Sequence, residues 1–212
     1  MTHYSKIWIV DSDIAGWKPL KAELQSHSWE LQFCRSSKSF FYTVNANMPG
    51  CIIVDTSIEG IKPDNLFHNL AAKGVDLPVI ITTHHAEVEL AVHFMKMGAM
   101  DFLKKPLDPN QLILSLTEGV RLSISKRIHK QRCADELSRL SRLTPREHQI
   151  LELLIEGKLN KTVAAELGIS TRTVEVHRAN IMSKLQAKTI SEVIRMAIVN
   201  KPQQNVHPPQ IL

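Results

Sequence analysis

The stretch that decides the architecture is Thr144-Pro145-Arg146-Glu147-His148-Gln149-Ile150 through Met182-Ser183-Lys184-Leu185. Thr144 is followed three residues later by Glu147, with Pro145 between them. A capping box and a proline at the first helical position therefore predict a helix start at Pro145. Ile150, Leu151, Leu153, Leu154 and Ile155 give that helix its apolar stripe, and Gly157 ends it. Asn160 is expected to cap a short helix over 161–167 that stops at Gly168. Ser170 is expected to cap a longer one through Leu185, with Val174, His177, Ile181 and Leu185 inward. Its outer face then carries Thr171, Arg172, Glu175, Val176, Arg178, Ala179 and Met182.

A short helix, a glycine turn and an exposed second helix of mixed polarity form a helix-turn-helix pattern, whose second helix enters the DNA major groove. Arg172, Arg178, Lys184 and Lys188 suit phosphates, and Glu175 and Val176 suit base edges. An ordinary helical domain with a basic face would share much of this pattern. Charge is unevenly spread along the chain. Residues 1–125 hold 11 basic against 13 acidic residues, and 126–212 hold 15 against 8. Only the second half has the electrostatics of a polyanion binder.

Leu143-Thr144-Pro145-Arg146-Glu147, Asn160-Lys161 with Ala164 and Leu167, and Thr173-Val174-Glu175-Val176-His177-Arg178 resemble the LuxR-type helix-turn-helix of NarL/FixJ response regulators. The resemblance implies a four-helix domain, so a last helix is expected from Thr189 to about Val199, often a dimer surface. Its candidate DNA contacts are Lys161, Thr171, Arg172, Thr173, Glu175, Val176, Arg178, Ala179, Lys184 and Lys188.

Toward the N-terminus the pattern changes. Lys6-Ile7-Trp8-Ile9-Val10, Trp29 to Cys34, Cys51 to Val54, Pro78 to Thr82 and Met100 to Leu103 read as strands alternating with helices at 37–44, 63–72 and 87–97 and after Asp108-Pro109. This spacing predicts an α/β domain, a doubly wound five-stranded parallel sheet of about 120 residues. In such sheets the ligand site lies beyond the carboxyl ends of the strands. Those ends carry Asp11, Ser12 and Asp13, then Asp55, Thr83 and Lys105. Clustered carboxylates call for a divalent cation, and hard oxygen ligands favour magnesium.

Residues 1–122 resemble the CheY-like receiver domain of two-component systems. The resemblance implies that Asp55 is the phosphoacceptor, that Thr83, Phe102 and Lys105 form the switch, and that Lys105-Pro106 is a cis peptide. It implies Mg²⁺ held by Asp11, Asp55 and the Ser57 carbonyl, a sensor histidine kinase as phosphodonor, and a homodimer on activation. Where such domains carry a second adjacent acid this chain has Ser12, and Asp13 is the candidate to compensate; Glu59 and Pro63 also depart from the usual loop. Magnesium affinity is thus the open point. The alternative is an atypical receiver that regulates transcription without phosphate.

The expected layout is a receiver over 1–122, a helical linker over 123–142, the DNA-binding domain over 143–200 and a disordered tail over 201–212. Double-stranded DNA is the expected partner, and RNA polymerase is a further candidate. No run of about 18 apolar residues and no signal-peptide pattern occur, so a cytoplasmic protein without a membrane partner is expected. Cys34, Cys51 and Cys133 are too far apart for a zinc site and odd in number, and they read as packing residues. His84, His85 and His93 lack metal-ligand spacing, and His177 falls among core positions. No substrate pocket or lid is evident, so an enzyme is not expected.

Overall fold

The computed structural model describes residues 5–45, 48–85 and 87–200. The chain separates into two compact units that meet between Ile128 and His129. The expected tail, 201–212, lies outside the described residues.

In the first unit, β1 (Ser5–Val10), β2 (Trp29–Cys34), β3 (Gly50–Asp55), β4 (Val79–Thr83) and β5 (Asp101–Lys104) form a parallel sheet in the order β2-β1-β3-β4-β5. Between them run α1 (Lys18–Ser26), α2 (Ser37–Thr43), α3 (Pro63–Ala72) and α4 (Val88–Lys96), and α5 starts at Pro109. The side-chain period of two divides the strands between two layers. Trp8, Val10, Ile52 and Val54 pack with Phe40, Leu66, Leu70 and Phe94 on one face. Ile7, Ile9, Cys51 and Ile53 pack with Leu20, Leu24, Leu112 and Leu116 on the other. Every residue of β3 is buried, as a central parallel strand covered on both faces requires. Gly50 opens that strand because a Cβ there would lie 1.9 Å from the Lys6 carbonyl oxygen.

Strand order reverses at β1, so β1 and β3 are neighbours whose carboxyl ends open onto one crevice. The Lys105-Pro106 peptide is cis. One local element escapes periodicity, a 3₁₀ turn at Ala15–Trp17 between β1 and α1.

α5 is one helix from Pro109 to Leu140. The segment expected as a helical linker, 123–142, falls almost wholly within it, and the boundary between the units lies inside that helix.

In the second unit, α6 (Pro145–Ile155), α7 (Asn160–Leu167), α8 (Thr171–Leu185) and α9 (Ile190–Val199) enclose Ile150, Leu151, Val163, Val174, Ile181, Leu185 and Val193. The Thr144–Glu147 capping box forms with both reciprocal bonds. Ser170 caps α8, accepting from the Thr173 N–H at 3.0 Å, and Thr189 caps α9. Asn160 does not cap α7. Leu159 holds that position without a side-chain bond, and Asn160 is the first residue of the helix, its side chain taken by a partner on α8. The recognition helix ends on Gln186 in the left-handed region, φ 54°. Met182, expected on the outer face, is half-buried against the core.

Candidate phosphoacceptor site and nucleic-acid interface

Asp11 follows β1 and Asp55 ends β3, both almost fully buried. Lys105, just beyond β5, reaches between them. Its Nζ donates to Oδ2 of Asp11 at 2.6 Å and forms an ion pair with Oδ2 of Asp55. The remaining oxygens are also engaged. Asp55 Oδ1 accepts the Ser57 N–H at 2.7 Å, Asp11 Oδ1 accepts the Asp13 N–H at 2.9 Å, and Asp11 Oδ2 also accepts Nε1 of Trp17 at 2.8 Å. Burial alone would raise the carboxyl pKa of Asp55, but hydrogen bonds from Lys105 and Ser57 outweigh it and hold the group below the usual carboxylate range. Burial likewise opposes the Lys105 ammonium, and its bonds to Asp11 and Asp55 win, raising its pKa. The pocket thus favours a charged Asp55 carboxylate with the Lys105 ammonium already beside it.

The structure brings Asp11, Asp55 and Lys105 together, and Asp13 lines the cavity beside Asp11 and Lys105. Asp13 is exposed, and its Oδ1 accepts the Gly16 N–H at 3.2 Å across the 3₁₀ turn. Ser12 is also exposed and lines a different cleft, together with Arg35, Lys38 and Ser57. Among the described residues no three acid, histidine or cysteine side chains converge as a metal cluster. A divalent cation still fits, because one cation position already serves both Asp11 and Asp55. Magnesium commonly binds through one or two carboxylates and keeps several waters.

Thr83 ends β4, beside Asp55 on β3. Its hydroxyl accepts from Thr56 Oγ1 at 2.8 Å and from the His85 N–H at 3.2 Å, and it donates to the His85 carbonyl at 3.1 Å. It is turned into its own loop. Phe102 on β5 is half-buried, tilted against Phe94 with ring centroids 6.3 Å apart.

On α8, Thr171, Arg172, Glu175, Val176 and Ala179 are exposed, Val176 at 53%. Lys161 and Lys188 are exposed as well. Arg178 is half-buried, and its Nη1 donates to Oδ1 of Asn160 at 2.5 Å. The Thr173 hydroxyl is tied to that of Ser170 at 2.8 Å. Lys184 faces inward, pairing at 2.6 Å with Oε2 of the buried Glu147. The Lys184 side chain is 35% exposed, with its ammonium tied to that carboxylate. His177 is half-buried, with Nδ1 enclosed and without a hydrogen-bond partner.

Comparison with known proteins places both halves. Residues 7–117 match the response regulator receiver domain, and residues 141–197 match the luxR family of bacterial regulatory proteins. Over 91% of its length the chain is 38% identical to the transcriptional regulatory protein FixJ of Azorhizobium caulinodans, covering 92% of that protein. The FixJ of Bradyrhizobium diazoefficiens is 34% identical over 93% of the chain and 97% of its own. The chain is a FixJ-like response regulator. Among solved structures, StyR superposes with a TM-score of 0.80 at 30% identity, covering 92% of this chain and 99% of that one. Full-length FixJ from B. japonicum superposes at 0.56 with 34% identity, over 93% and 97%.

This response regulator thus belongs to a two-component, transcription-regulating family whose members are not enzymes in general. Its receiver domain implies a histidine kinase, and its LuxR-type domain implies DNA. Receiver domains generally bind Mg²⁺ at the phosphorylation site. No helix among the described residues is long and apolar enough to cross a membrane. Sequence reasoning missed three residues of the FixJ-like chain. Trp17 and Thr56 bond directly to Asp11 and Thr83, and neither stands among the expected site residues. Asn160, expected as a cap, instead accepts from Arg178. A donor within six residues of Asp11 was the available signal for Trp17, since a buried indole N–H seeks an acceptor.

Proposed function

We propose that this response regulator is switched by phosphorylation of Asp55. A carboxylate oxygen of Asp55 attacks the phosphorus of a phosphohistidine on a sensor histidine kinase. The P–O bond forms as the P–N bond breaks, and the imidazole leaves. Asp11, Asp55 and the backbone carbonyl of Ser57 would hold Mg²⁺, which spreads the charge of the transferring group. Lys105 then follows a phosphoryl oxygen, exchanging one anionic partner for another. Thr83 leaves Thr56 and His85 to donate to a second oxygen, and Phe102 turns into the space it vacates. That repacking alters the face of α4 and β5, where two copies would meet and set two α8 helices on adjacent half-sites of DNA. Arg172, Arg178, Lys161 and Lys188 would contact phosphates, with Glu175 and Val176 toward base edges. RNA polymerase at the promoter is the candidate downstream partner.

The observation that carries this reading is the single ammonium of Lys105 seated between two buried carboxylates at the strand ends, one of them held ionised. Incubation with radiolabelled acetyl phosphate and Mg²⁺ tests it. Acid-stable, base-labile label should appear on the native chain and vanish in Asp55→Ala. A native chain that takes no label yet binds its DNA would instead establish the phosphate-independent alternative. The Ser12 hydroxyl in place of a second acid beside Asp11 is what favours that second reading.

A further inference from the structure

Asp11 is held by a group that takes no part in phosphoryl transfer. Trp17 closes the 3₁₀ turn after β1 and is 3% exposed. Its Nε1 reaches Oδ2 of Asp11 at 2.8 Å, the oxygen that also receives Lys105 at 2.6 Å. The Asp13 N–H meanwhile holds Oδ1. A carboxylate oxygen offers two lone pairs, and an indole N–H can only donate. Oδ2 is therefore full. The ring cannot swing aside freely, because it is packed with Leu20 and Leu24 in the layer beneath the sheet.

Any cation that takes Oδ2 of Asp11 must therefore displace Lys105 or break the indole bond. Ser12 sharpens that competition. A hydroxyl stands where a second adjacent acid would supply another ligand, so the carboxylates after β1 are the buried Asp11 and the exposed Asp13.

We propose that Trp17 is a positioning residue that sets the magnesium affinity of the pocket, its N–H holding Asp11 to Lys105 and against the incoming cation. The proposal rests on the Asp55 reading above. It makes occupancy by Mg²⁺ depend on how firmly the 3₁₀ turn seats the indole. A partner that shifted this turn would raise metal affinity without touching an acid.

The test is Mg²⁺ titration of the full chain by calorimetry, with no phosphodonor present. Native protein is compared with Trp17→Phe and with a chain carrying 3-benzothienylalanine in place of Trp17, whose sulfur removes the N–H and keeps the ring. A hydrogen bond to a charged group is strong enough that both changes should tighten Mg²⁺ binding about tenfold. A damaged fold weakens metal binding, so only loss of a competing donor explains a gain. If Trp17→Phe fails to fold, the sulfur isostere decides. In parallel, Mg²⁺ should change the tryptophan emission of the native chain and leave that of Trp17→Phe unaltered. Equal or weaker binding by an isostere protein with unchanged thermal midpoint overturns the proposal, as does absence of binding to every form. Labelling of Asp55 by acetyl phosphate is scored separately, so failure of the phosphorylation reading cannot pass for failure of the indole clamp.

Discussion

Each unit buries a carboxylate under a lysine from a distant part of the chain, and the two pairs are built for opposite ends. In the first, Lys105 holds Asp11 and Asp55 at the open rim of the sheet. In the second, Lys184 on α8 holds Glu147 on α6, whose same oxygen also accepts the Thr144 N–H at 2.7 Å and the Thr144 hydroxyl at 3.0 Å. In both, burial pushes the carboxyl pKa up and bonding brings it down further. The difference is what surrounds the pair. Asp55 lies on a crevice beside a cavity of about 350 Å³ that Asp11, Trp17, His84 and Lys105 line, so its lysine can follow a new anion. Glu147 lies inside a capping box, where exchange of partners would undo the start of α6. One pair is poised to be remade, and the other fastens the recognition helix to its scaffold.

The largest effect expected from this contrast is on stability. Glu147→Gln keeps the shape of the side chain and discards its charge, and should cost about 2–3 kcal/mol, combining a weakened cap with a lost charged hydrogen bond. Its pH dependence has a definite sign. The folded pKa of Glu147 lies below its ordinary value of 4.5, so its contribution is fully present above that value and lost as pH falls through the folded pKa. Thermal melts of native and Glu147→Gln chains should therefore differ at neutral pH and converge in acid. Lys184→Met should reproduce the loss and leave the salt dependence of DNA binding unchanged. A changed salt slope would return Lys184 to the phosphate contacts and dissolve the contrast.

What could be read beforehand follows the same division between local and long-range bonding. Thr144 with Glu147 is a bond between residues three apart, and Asp11, Asp55 and Thr83 stand where a strand period ends in a polar residue. Spacing reveals both. The partners that decide behaviour are set by tertiary placement. Lys184 is at a helical position that the local pattern leaves outside, and it turns inward only because Glu147 is buried across from it, 37 residues away. Asp13 accepts the Gly16 N–H across a 3₁₀ turn without a periodic signature, a bond that no spacing announces. Asn160 has the composition of a cap, and Arg178 claims its oxygen.

The exposed surface of the second unit supplies the next effect. Arg178→Ala should weaken DNA binding about tenfold and reduce the slope of log affinity against log salt by about one, the mark of a single lost phosphate contact. Asn160→Ala, which only releases the guanidinium, should weaken binding by a smaller factor and keep the slope. Fluorescence anisotropy at several salt concentrations measures both. If the two substitutions gave the same slope change, Asn160 would itself be touching DNA and would not merely aim Arg178.

The smallest effect tests whether the first unit is as remakeable as its open rim suggests. Thr83 must abandon three hydrogen bonds to turn toward a phosphorylated Asp55, and the one from Thr56 is the only one of them between side chains. Thr56→Val removes that bond and keeps the branched shape. A typical hydrogen bond contributes about 1 kcal/mol, so the balance between resting and turned Thr83 should move about fivefold toward the turned form. The acetyl phosphate concentration that half-converts the chain to dimer, followed by sedimentation, should fall by a comparable factor, and Thr56→Ser, which keeps the hydroxyl, should behave as the native chain. An unchanged midpoint in Thr56→Val would mean that the two His85 bonds alone restrain the switch. The rim would then be held by backbone, as Glu147 is by the Thr144 N–H, and the two pairs would differ less than their surroundings imply.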